Sequence, residues 1–479
     1  MKNKMQKPNN ILFNWFLIVV GLTSCSSIKT IEHREIKIPE NFNNQNSKLS
    51  ESYEIVSRSD FFKDPYLKVL IDEALEKNQE LKIAEQTILA YEAEIKAKKG
   101  EYLPFVGIST IGDSEKVGEF TRNGSVEKQL SLNHEEFPEP LKNLKIGLSA
   151  SWELDVWKKL RNQKQAAFRE FLASWEAQRF LTSQLVSEIS SSYYDLITLD
   201  MISINLHKYN ELQSNALKTV KLLKQAGKSN ELAVKRFEAE LDRNQNELVK
   251  VNQEIIDLEN ELRFLIGNPN LIIDRPKSFL SLPSLISTSS IETSLLLNRP
   301  DIKKAEQELE AAKLDVKSAR AAFFPTIEIG GSYGREAFKR ELLSLTPESL
   351  FYKLALDILS PVFNLSQLKS NLKIANVKQE QSILEYEKVS LKAYLEVSSQ
   401  LWRIENLQEQ LRLQEDQMHS LEEANRISTI LFSSARADYL EVLLTQRESL
   451  EARNQWIDSQ KELIDANIDL YKSLGGGWY

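Results

Sequence analysis

The chain of 479 residues carries 61 basic and 69 acidic side chains, for a formal net charge of −8. These charges are interspersed, without the basic stripe of a nucleic-acid-binding protein, so nucleic acid is not expected as a partner. The single cysteine excludes an internal disulfide. Only 15 glycines and 13 prolines are present, and nowhere do they cluster into a linker between separate domains. We therefore predict one continuous, helix-rich body whose stability comes from packing.

The N-terminus has the three-part pattern of a secretory signal peptide, predicted over residues 1–24. Its positive region contains Lys2, Lys4 and Lys7. An apolar run over residues 11–21 leads to residues 22–25, Leu-Thr-Ser-Cys, which resemble a bacterial lipobox with Cys25 as the lipidated residue. Ser26 favours the outer membrane, by similarity to sorted lipoproteins. The alternative is a short membrane anchor with an incidental cysteine, although the run is well below the ~20 residues of a spanning helix.

The mature chain contains two copies of one pattern. Leu81, Ala84, Glu85, Gln86 and Pro104 recur 221 positions later as Ile302, Ala305, Glu306, Gln307 and Pro325. By Ala167 the offset has fallen to 208, so the first copy carries a loop insertion between Pro104 and Ala167. We predict a first repeat over residues 61–270, a connector over residues 271–290 and a second repeat over residues 291–479.

Residues 25–60 are polar, as in a tether to a lipid anchor. A helix is predicted over residues 65–99, where apolar residues recur at helical spacing. Period-two alternation then predicts strands over residues 145–154 and 350–359, and residues 104–110 and 326–333 are predicted as their partner strands. A polar loop over residues 112–143 joins the first two strands.

After each strand pair comes a helical pattern of roughly 65 residues, over residues 158–223 and 364–432, which corresponds to about 100 Å. Each helix turns, near residues 226–230 and 433–437, and runs back. In the first returning helix, apolar side chains occupy heptad a and d positions, namely Val234, Phe237, Leu241, Leu248, Val251, Ile255, Leu258, Leu262 and Leu265. This seam predicts a coiled coil, because an amphipathic helix of a compact domain would not reach this length.

The four predicted strands raise a problem of open edges. Four strands cannot close a barrel, and an open sheet edge cannot lie in hydrocarbon. Either the strands lie in water beside a core, or several chains pool them.

The whole mature chain resembles the TolC-like outer-membrane efflux channels, in their lipid-anchored NodT branch. Matching strings lie at residues 62–78, 151–157, 298–302, 438–443 and 474–478. The chain departs from the family where a glycine usually follows the second strand, since Lys158 stands there. Residues 361–366, in the second repeat, also lack the family's glycines.

The resemblance implies a mainly α fold with a small β part, built from a duplicated helix–strand–strand–helix–helix repeat. It also implies a homotrimer, in which four strands per chain form one twelve-stranded barrel in the outer membrane and the helices form a periplasmic tunnel. Such a protein is the exit duct of a tripartite efflux system in a Gram-negative bacterium, lipid-anchored and without a cofactor. Its implied partners are a periplasmic adaptor, or membrane fusion protein, an inner-membrane pump of the resistance-nodulation-division type, and outer-membrane lipid.

By the same resemblance, the two helix turns form the periplasmic entrance. The tips expected to contact the adaptor contain Gly227, Lys228, Ser229, Ala435 and Arg436. Gly227 has a second interpretation, as a left-handed helix C-cap, and the two roles are compatible. Glu441 falls where the family places an acidic gate residue, and with Asp438 one helical turn away we predict a gate of these two residues, although their spacing also fits a capping box. A further acidic position of the family is Leu444 here.

Enzyme chemistry finds little support in the sequence. The four histidines are isolated, and neither a phosphate-binding glycine loop nor a nucleophile elbow is present. We predict no catalytic residue, no metal site and no cofactor. The main alternative to a duct is a periplasmic coiled-coil adaptor or scaffold lipoprotein without a pore, and a hydrolase is more remote.

Overall fold

A computed structural model of the protein describes residue 42 and residues 57–132, 135–136, 138–279, 293–363, 365–434 and 436–478. The α-helices are α1 (Arg58–Phe61), α2 (Pro65–Lys77), α3 (Gln79–Glu101), α4 (Arg122–Glu127), α5 (Lys159–Gln225), α6 (Glu231–Ile266), α7 (Pro300–Ala321), α8 (Ser366–Ser433) and α9 (Tyr439–Ser473). The strands are β1 (Phe105–Glu115), β2 (Ser131–Leu132), β3 (Glu135–Glu136), β4 (Leu141–Leu154), β5 (Thr326–Ala337) and β6 (Leu350–Leu359). Two 3-10 helices cover Thr293–Asn298 and Arg340–Ser344. The predicted signal peptide, Cys25, Ala435 and most of the predicted connector lie outside the described residues.

The two long helices are confirmed within a few residues of their predicted ends. Helix α5 has 67 residues and α8 has 68, so each extends about 100 Å at the helical rise. Each pairs with its returning helix, α6 or α9, in an antiparallel hairpin. The chain therefore contains two hairpins, α5–α6 and α8–α9, one from each copy of the repeat.

The helix predicted over residues 65–99 is interrupted in the structure, and that part of the prediction is wrong. Asn78 has ψ of 131° and separates α2 from α3. Its side chain accepts a hydrogen bond from Leu81 N at 2.9 Å, and its Nδ2 donates to Leu265 O at 2.7 Å. Asn78 thus caps α3 while it fixes the end of α6, which stabilises a break that helical spacing alone does not reveal.

The four long strands form one antiparallel sheet in the order β1-β4-β5-β6. All four predicted strands are confirmed, and the β4–β5 pairing joins the first repeat to the second. The loop predicted between the first two strands is shorter than expected, because β1 and β4 both extend into it. The rest of that loop contains α4 and the small β2–β3 pair.

The main core lies where α2, α5, α6, α8 and α9 meet. Tyr193 on α5 is fully buried, and its Oη donates to Asp64 Oδ2 at 2.9 Å. Asp64 in turn caps α2 by accepting from Tyr66 N at 2.9 Å. Phe61 stacks on Tyr471 near the C-terminus, with ring centroids 4.1 Å apart. These contacts explain the sequence at residues 61–66, which fixes the start of the repeat against α5 and α9.

The turn from β4 into α5 uses a left-handed residue that is not glycine. Lys158 has φ of 63° and ψ of 26°, and it is the one non-glycine residue in the described part of the chain with positive φ. Asp155 supports the turn by accepting from Leu160 N at 3.0 Å and Arg161 N at 2.9 Å. Burial alone would raise the pKa of Asp155, but these hydrogen bonds and Arg161 outweigh burial and lower it. At the position where the resembling family usually has a glycine, this chain therefore keeps the left-handed conformation with Lys158.

Lys158→Gly is expected to raise the free energy of unfolding by about 0.5–1 kcal/mol. A side chain in the left-handed region costs ~1–2 kcal/mol, and the greater freedom of glycine in the unfolded chain offsets part of that gain. Chemical unfolding in detergent measures the change. Lys164→Gly, inside α5, is the matched control and should lower the free energy of unfolding by about 1 kcal/mol. Destabilisation by both variants would show that Lys158 is not strained.

Candidate functional site

One face of the sheet is apolar across all four strands. Its middle row aligns Val106, Ala150, Gly331 and Leu354, and the next row aligns Ile108, Leu148, Tyr333 and Tyr352. Although apolar, Leu354 is 80% exposed and Tyr352 is 86% exposed in a single chain. An apolar surface of this extent needs a cover, such as lipid or protein.

The opposite face is polar and carries a row of carboxylates. Glu153 on β4 is paired with Glu328 on β5, which is paired with Asp357 on β6. Lys159 Nζ lies 2.5 Å from Glu153 Oε1, whereas Glu328 is exposed and forms no ion pair with any residue that the structure describes. Period-two alternation in the sequence indicates a polar face at Glu153 and Asp357, whereas Glu328 was overlooked. The signal that could have found Glu328 is its place between Ile327 and Ile329, which is the same alternation of polar and apolar residues.

The edges of the sheet are β1 and β6. Each has one neighbour among the described strands, β4 for β1 and β5 for β6. Their outer backbone groups are therefore available for pairing with another strand.

The first hairpin turn is closed by Gly227. With φ of +72°, Gly227 is in the left-handed conformation, and its N–H donates to Lys224 O at 3.0 Å. Lys228 N donates to Leu223 O at 2.8 Å. These two bonds make a Schellman motif, so the C-cap interpretation of Gly227 is confirmed. Lys228 is exposed and Ser229 is half-buried, so the turn also presents a surface.

The second hairpin turn has the same closing bond. Arg436 N donates to Leu431 O at 2.9 Å, which matches the bond from Lys228 to Leu223 in the first turn. Arg436 is exposed. The two turns lie at the same end of the molecule, because residues of both hairpins share one small apolar cluster there.

Asp438 and Glu441 differ in their roles at the start of α9. Asp438 is the N-cap, and its Oδ1 accepts from Leu440 N at 3.4 Å. The reciprocal half of a capping box is not formed, because the Glu441 carboxylate has no hydrogen bond or ion pair within the described chain. Both side chains are exposed. The capping interpretation therefore accounts for Asp438 and leaves Glu441 as a free carboxylate.

A buried arginine explains the family string at residues 298–302. Arg299 is 5% exposed, and its guanidinium lies 2.8 Å from Asp301 Oδ2 and 2.9 Å from Glu396 Oε2. Its Nη1 donates to Ser473 O at 2.9 Å. Burial alone would lower the pKa of Arg299, but Asp301 and Glu396 outweigh burial and raise it. Arg299 thus joins the start of α7 to α8 and to the end of α9.

The described residues contain no cluster of three histidine, cysteine or acidic side chains that could hold a metal ion. Among them, no helix combines the length and apolar character needed to cross a membrane.

Comparison with known proteins identifies the family. The family model for outer membrane efflux proteins matches residues 70–268 and 293–476. The cation efflux system protein CusC of Escherichia coli O157:H7 is 28% identical over 472 residues, which cover 97% of this chain and 98% of CusC. The probable outer membrane lipoprotein SilC of Salmonella typhimurium is 28% identical over 450 residues, or 92% of this chain and 93% of SilC.

Solved structures agree with the sequence comparison. A crystal structure of CusC is similar over 95% of this chain and 100% of that one, with a TM-score of 0.82 and 25% identity. The TolC-like resemblance and the mainly α fold with a small sheet are confirmed. The chain therefore belongs to the outer membrane efflux protein family and is an outer-membrane efflux channel.

Proposed function

We propose that the channel is a homotrimer in which the β6 edge of one chain pairs with the β1 edge of the next. The observation that carries the proposal is the sheet, with two open edges and one apolar face. An open edge in hydrocarbon leaves backbone groups unpaired, whereas three sheets of four strands satisfy every edge in a closed barrel. The apolar face then contacts lipid, and the face with Glu153, Glu328 and Asp357 lines the lumen.

The trimer is tested by native mass measurement of the protein purified in detergent from the outer-membrane fraction. We expect three times the mass of one chain. A folded monomer in the soluble periplasmic fraction would instead support the adaptor or scaffold alternative, which needs no lipid-facing strands.

We infer that Cys25 carries the lipid anchor. The string at residues 22–25 supports this inference, as does the description of the relative SilC as a probable outer membrane lipoprotein. Radioactive fatty acid should label the wild-type protein and not Cys25→Ser. Equal labelling of both would refute the assignment.

We further propose that the channel is the exit duct of a tripartite system, with a periplasmic adaptor docked on the hairpin tips. Gly227, Lys228 and Arg436 support this role, since all three are exposed at the turns. A Cβ added at Gly227 meets nothing within 4 Å. The pump that delivers substrate is expected to be of the resistance-nodulation-division type. A photo-crosslinker at position 228 that fails to capture the adaptor would place the contact elsewhere.

The entrance gate is proposed to include Asp438 and Glu441. In a trimer, three copies of this exposed pair would approach one axis, where like charges focus a negative potential. The relative CusC is described as part of a cation efflux system, which fits an entrance that attracts cations. The resting entrance is narrow in this proposal, and the adaptor widens it.

Glu441→Gln is expected to lower cation selectivity in planar-bilayer recordings, most strongly at low salt. The effect should shrink at physiological ionic strength, where the Debye length is about 8 Å. Glu409→Gln is the matched control, because Glu409 is an exposed carboxylate paired with Arg412 on α8. If both variants keep the cation selectivity of the wild-type channel, Glu441 is not part of a gate.

A further inference from the structure

The two central strands carry charged or small polar residues on the polar face of the sheet. On β4, the residues of this face from position 145 to position 153 are lysine, glycine, serine, serine and glutamate. On β5, they are threonine, glutamate, glycine, serine, glycine and glutamate. These stretches of β4 and β5 therefore bring no apolar side chain to the proposed lumen.

Four large apolar side chains of the same face lie on the two edge strands. Strand β1 contributes Phe105 and Ile111, and β6 contributes Phe351 and Leu359. Their partners across the sheet are, in the same order, Ser151, Lys145, Gly334 and Thr326. Directly paired residues share a face of a sheet, so all four apolar side chains lie on the face that carries Glu153.

Three of these side chains are exposed in a single chain. Phe105 is 71% exposed, Leu359 is 74% exposed and Ile111 is 45% exposed. The Phe105 ring leans along β1 over Gly107, where an added Cβ would lie 3.2 Å from the ring atom Cε1. The missing side chain at Gly107 thus leaves room for an aromatic ring against the wall.

The proposed trimer places β6 of one chain beside β1 of the next, so the four side chains meet where two chains join. The two residues on β1 are about 20 Å apart and the two on β6 about 27 Å apart, at the rise of a strand. This length is similar to the apolar band of a membrane barrel, which is about 25 Å tall. We call Phe105 and Ile111 of one chain, with Phe351 and Leu359 of the next, the lumen stripe. Each chain supplies only half of a stripe.

Carboxylates border the lumen stripe. Asp357 lies two residues before Leu359 on β6 and is paired across the sheet with Glu328. Both carboxylates are exposed, and neither forms an ion pair with a residue in the described part of the chain. Like charges directly opposite each other in a sheet repel, so a cation beside them is favoured.

Phe351 already holds a cation over its ring. Lys145 Nζ lies 3.8 Å from the centroid of the Phe351 ring. An ammonium group in this position is attracted by the electrons of the ring face. The exposed ring of Phe105 offers the same attraction to a cation that passes through the lumen.

The width of the barrel decides how the lumen stripe can act. Twelve strands spaced about 4.8 Å apart and tilted by about 40° enclose a barrel about 24 Å across between backbones. Side chains on opposite walls do not meet at this width, so the stripe is not a sieve. It acts by contact with a solute that moves along the wall.

We propose that the lumen stripe is a contact track for organic cations with an apolar body, and that Phe105 is a specificity-determining residue of the channel. The charge of such a solute is attracted to Glu328 and Asp357, while its body covers exposed hydrocarbon. A bare metal ion would use the carboxylates alone. The proposal rests on the proposed trimer, whose β6–β1 contact completes each stripe, and it does not depend on the gate.

The test measures block of the K⁺ current by tetraphenylphosphonium in planar bilayers, with the full-length protein. The probe is added on the side opposite the periplasmic entrance, so that it reaches the barrel first. We expect it to block the wild-type channel. Phe105→Ala should raise the half-blocking concentration roughly three- to tenfold, because an aromatic contact with the cation is lost. Partition of the probe into lipid is the same for every variant, so a difference between variants reports on the protein.

Val106→Ala is the matched control for Phe105→Ala. Val106 is the next residue on β1 and lies on the opposite, apolar face, where it is paired with Ala150. Its half-blocking concentration should equal that of the wild type. Ile111→Ser is a second variant of the stripe and should raise the half-blocking concentration roughly threefold. It decides the question if Phe105→Ala does not assemble, and native mass measurement shows which variants form trimers.

The double variant Glu328→Gln with Asp357→Asn tests the charge of the solute. It should also raise the half-blocking concentration of tetraphenylphosphonium, and the difference from the wild type should shrink as salt is added. Wild-type block in this variant would overturn the assignment to cations.

The outcomes separate the lumen stripe from the trimer on which it rests. A conducting wild-type channel that is blocked no more strongly than Phe105→Ala and Ile111→Ser would overturn the track and leave the trimer standing. Loss of trimers in both variants would overturn it as well, because the side chains would then be packing contacts between chains. A wild-type protein that forms no conducting trimer would instead contradict the barrel itself, and the track with it.

Discussion

Leu354→Arg is expected to keep the protein out of the outer membrane. Leu354 lies at the middle of β6, opposite Gly331, on the apolar face of the sheet. An arginine on the lipid face near the bilayer midplane costs roughly 2–4 kcal/mol per copy, and the proposed trimer carries three copies. Membrane fractionation and native mass measurement should find little protein in the outer membrane and few trimers.

Lys353→Arg is the matched control for that experiment. Lys353 is the preceding residue on β6, but it belongs to the polar face and is paired with Ser332. Since successive residues of a strand point to opposite faces, this change adds no charge to the lipid side. Normal insertion of Lys353→Arg is expected. Normal insertion of Leu354→Arg as well would mean that the apolar face does not contact lipid.

Arg299→Ala is expected to lower the free energy of unfolding by about 3 kcal/mol or more, because removal of one partner leaves buried charge uncompensated. Asp301 and Glu396 would lose their shared cation, and the carbonyl of Ser473 would lose its donor. Chemical unfolding in detergent measures the change, and limited proteolysis should detect release of the end of α9.

The control for Arg299 is another arginine with two acidic neighbours. Arg412 lies within 3.4 Å of both Glu409 and Asp416, but all three side chains are exposed on α8. Exposed ion pairs of this kind contribute between zero and about 1 kcal/mol to the free energy of unfolding. The control variant is Arg412→Ala. If Arg299→Ala lowers the free energy of unfolding no more than Arg412→Ala does, the buried cluster has no structural role.

Much of this fold could be predicted from periodicity alone. Period-two alternation located β4 and β6, their partners β1 and β5 were inferred beside them, and the length of the helical pattern identified the two hairpins. The break at Asn78 could not be predicted in this way, because its cause is a hydrogen bond to Leu265, 187 residues away. The apolar spacing around Asn78 continues a helical pattern, and the break is stabilised by the cap on Leu81 N together with the bond to Leu265 O.

The candidate site was predictable to a smaller extent. The turn at Gly227 follows from glycine's tolerance of positive φ, but no such signal marks Lys158. The row formed by Glu153, Glu328 and Asp357 depends on strand order, because β4 and β5 come from different repeats. The hydrogen bond between Gln213 and Gln446 was also hidden, since the two residues are 233 positions apart. Residues that act together here come from distant parts of the sequence.

The two open edges of the sheet have a genetic consequence. Because β1 and β6 are different strands, contact between neighbours in the proposed trimer is head-to-tail, and the ring closes only with the third copy. One chain with a defective edge therefore prevents closure of any trimer that contains it. In a cell that makes intact and defective chains in equal amounts, random assembly leaves about one ring in eight wholly intact. Edge variants are thus expected to act as dominant-negative alleles.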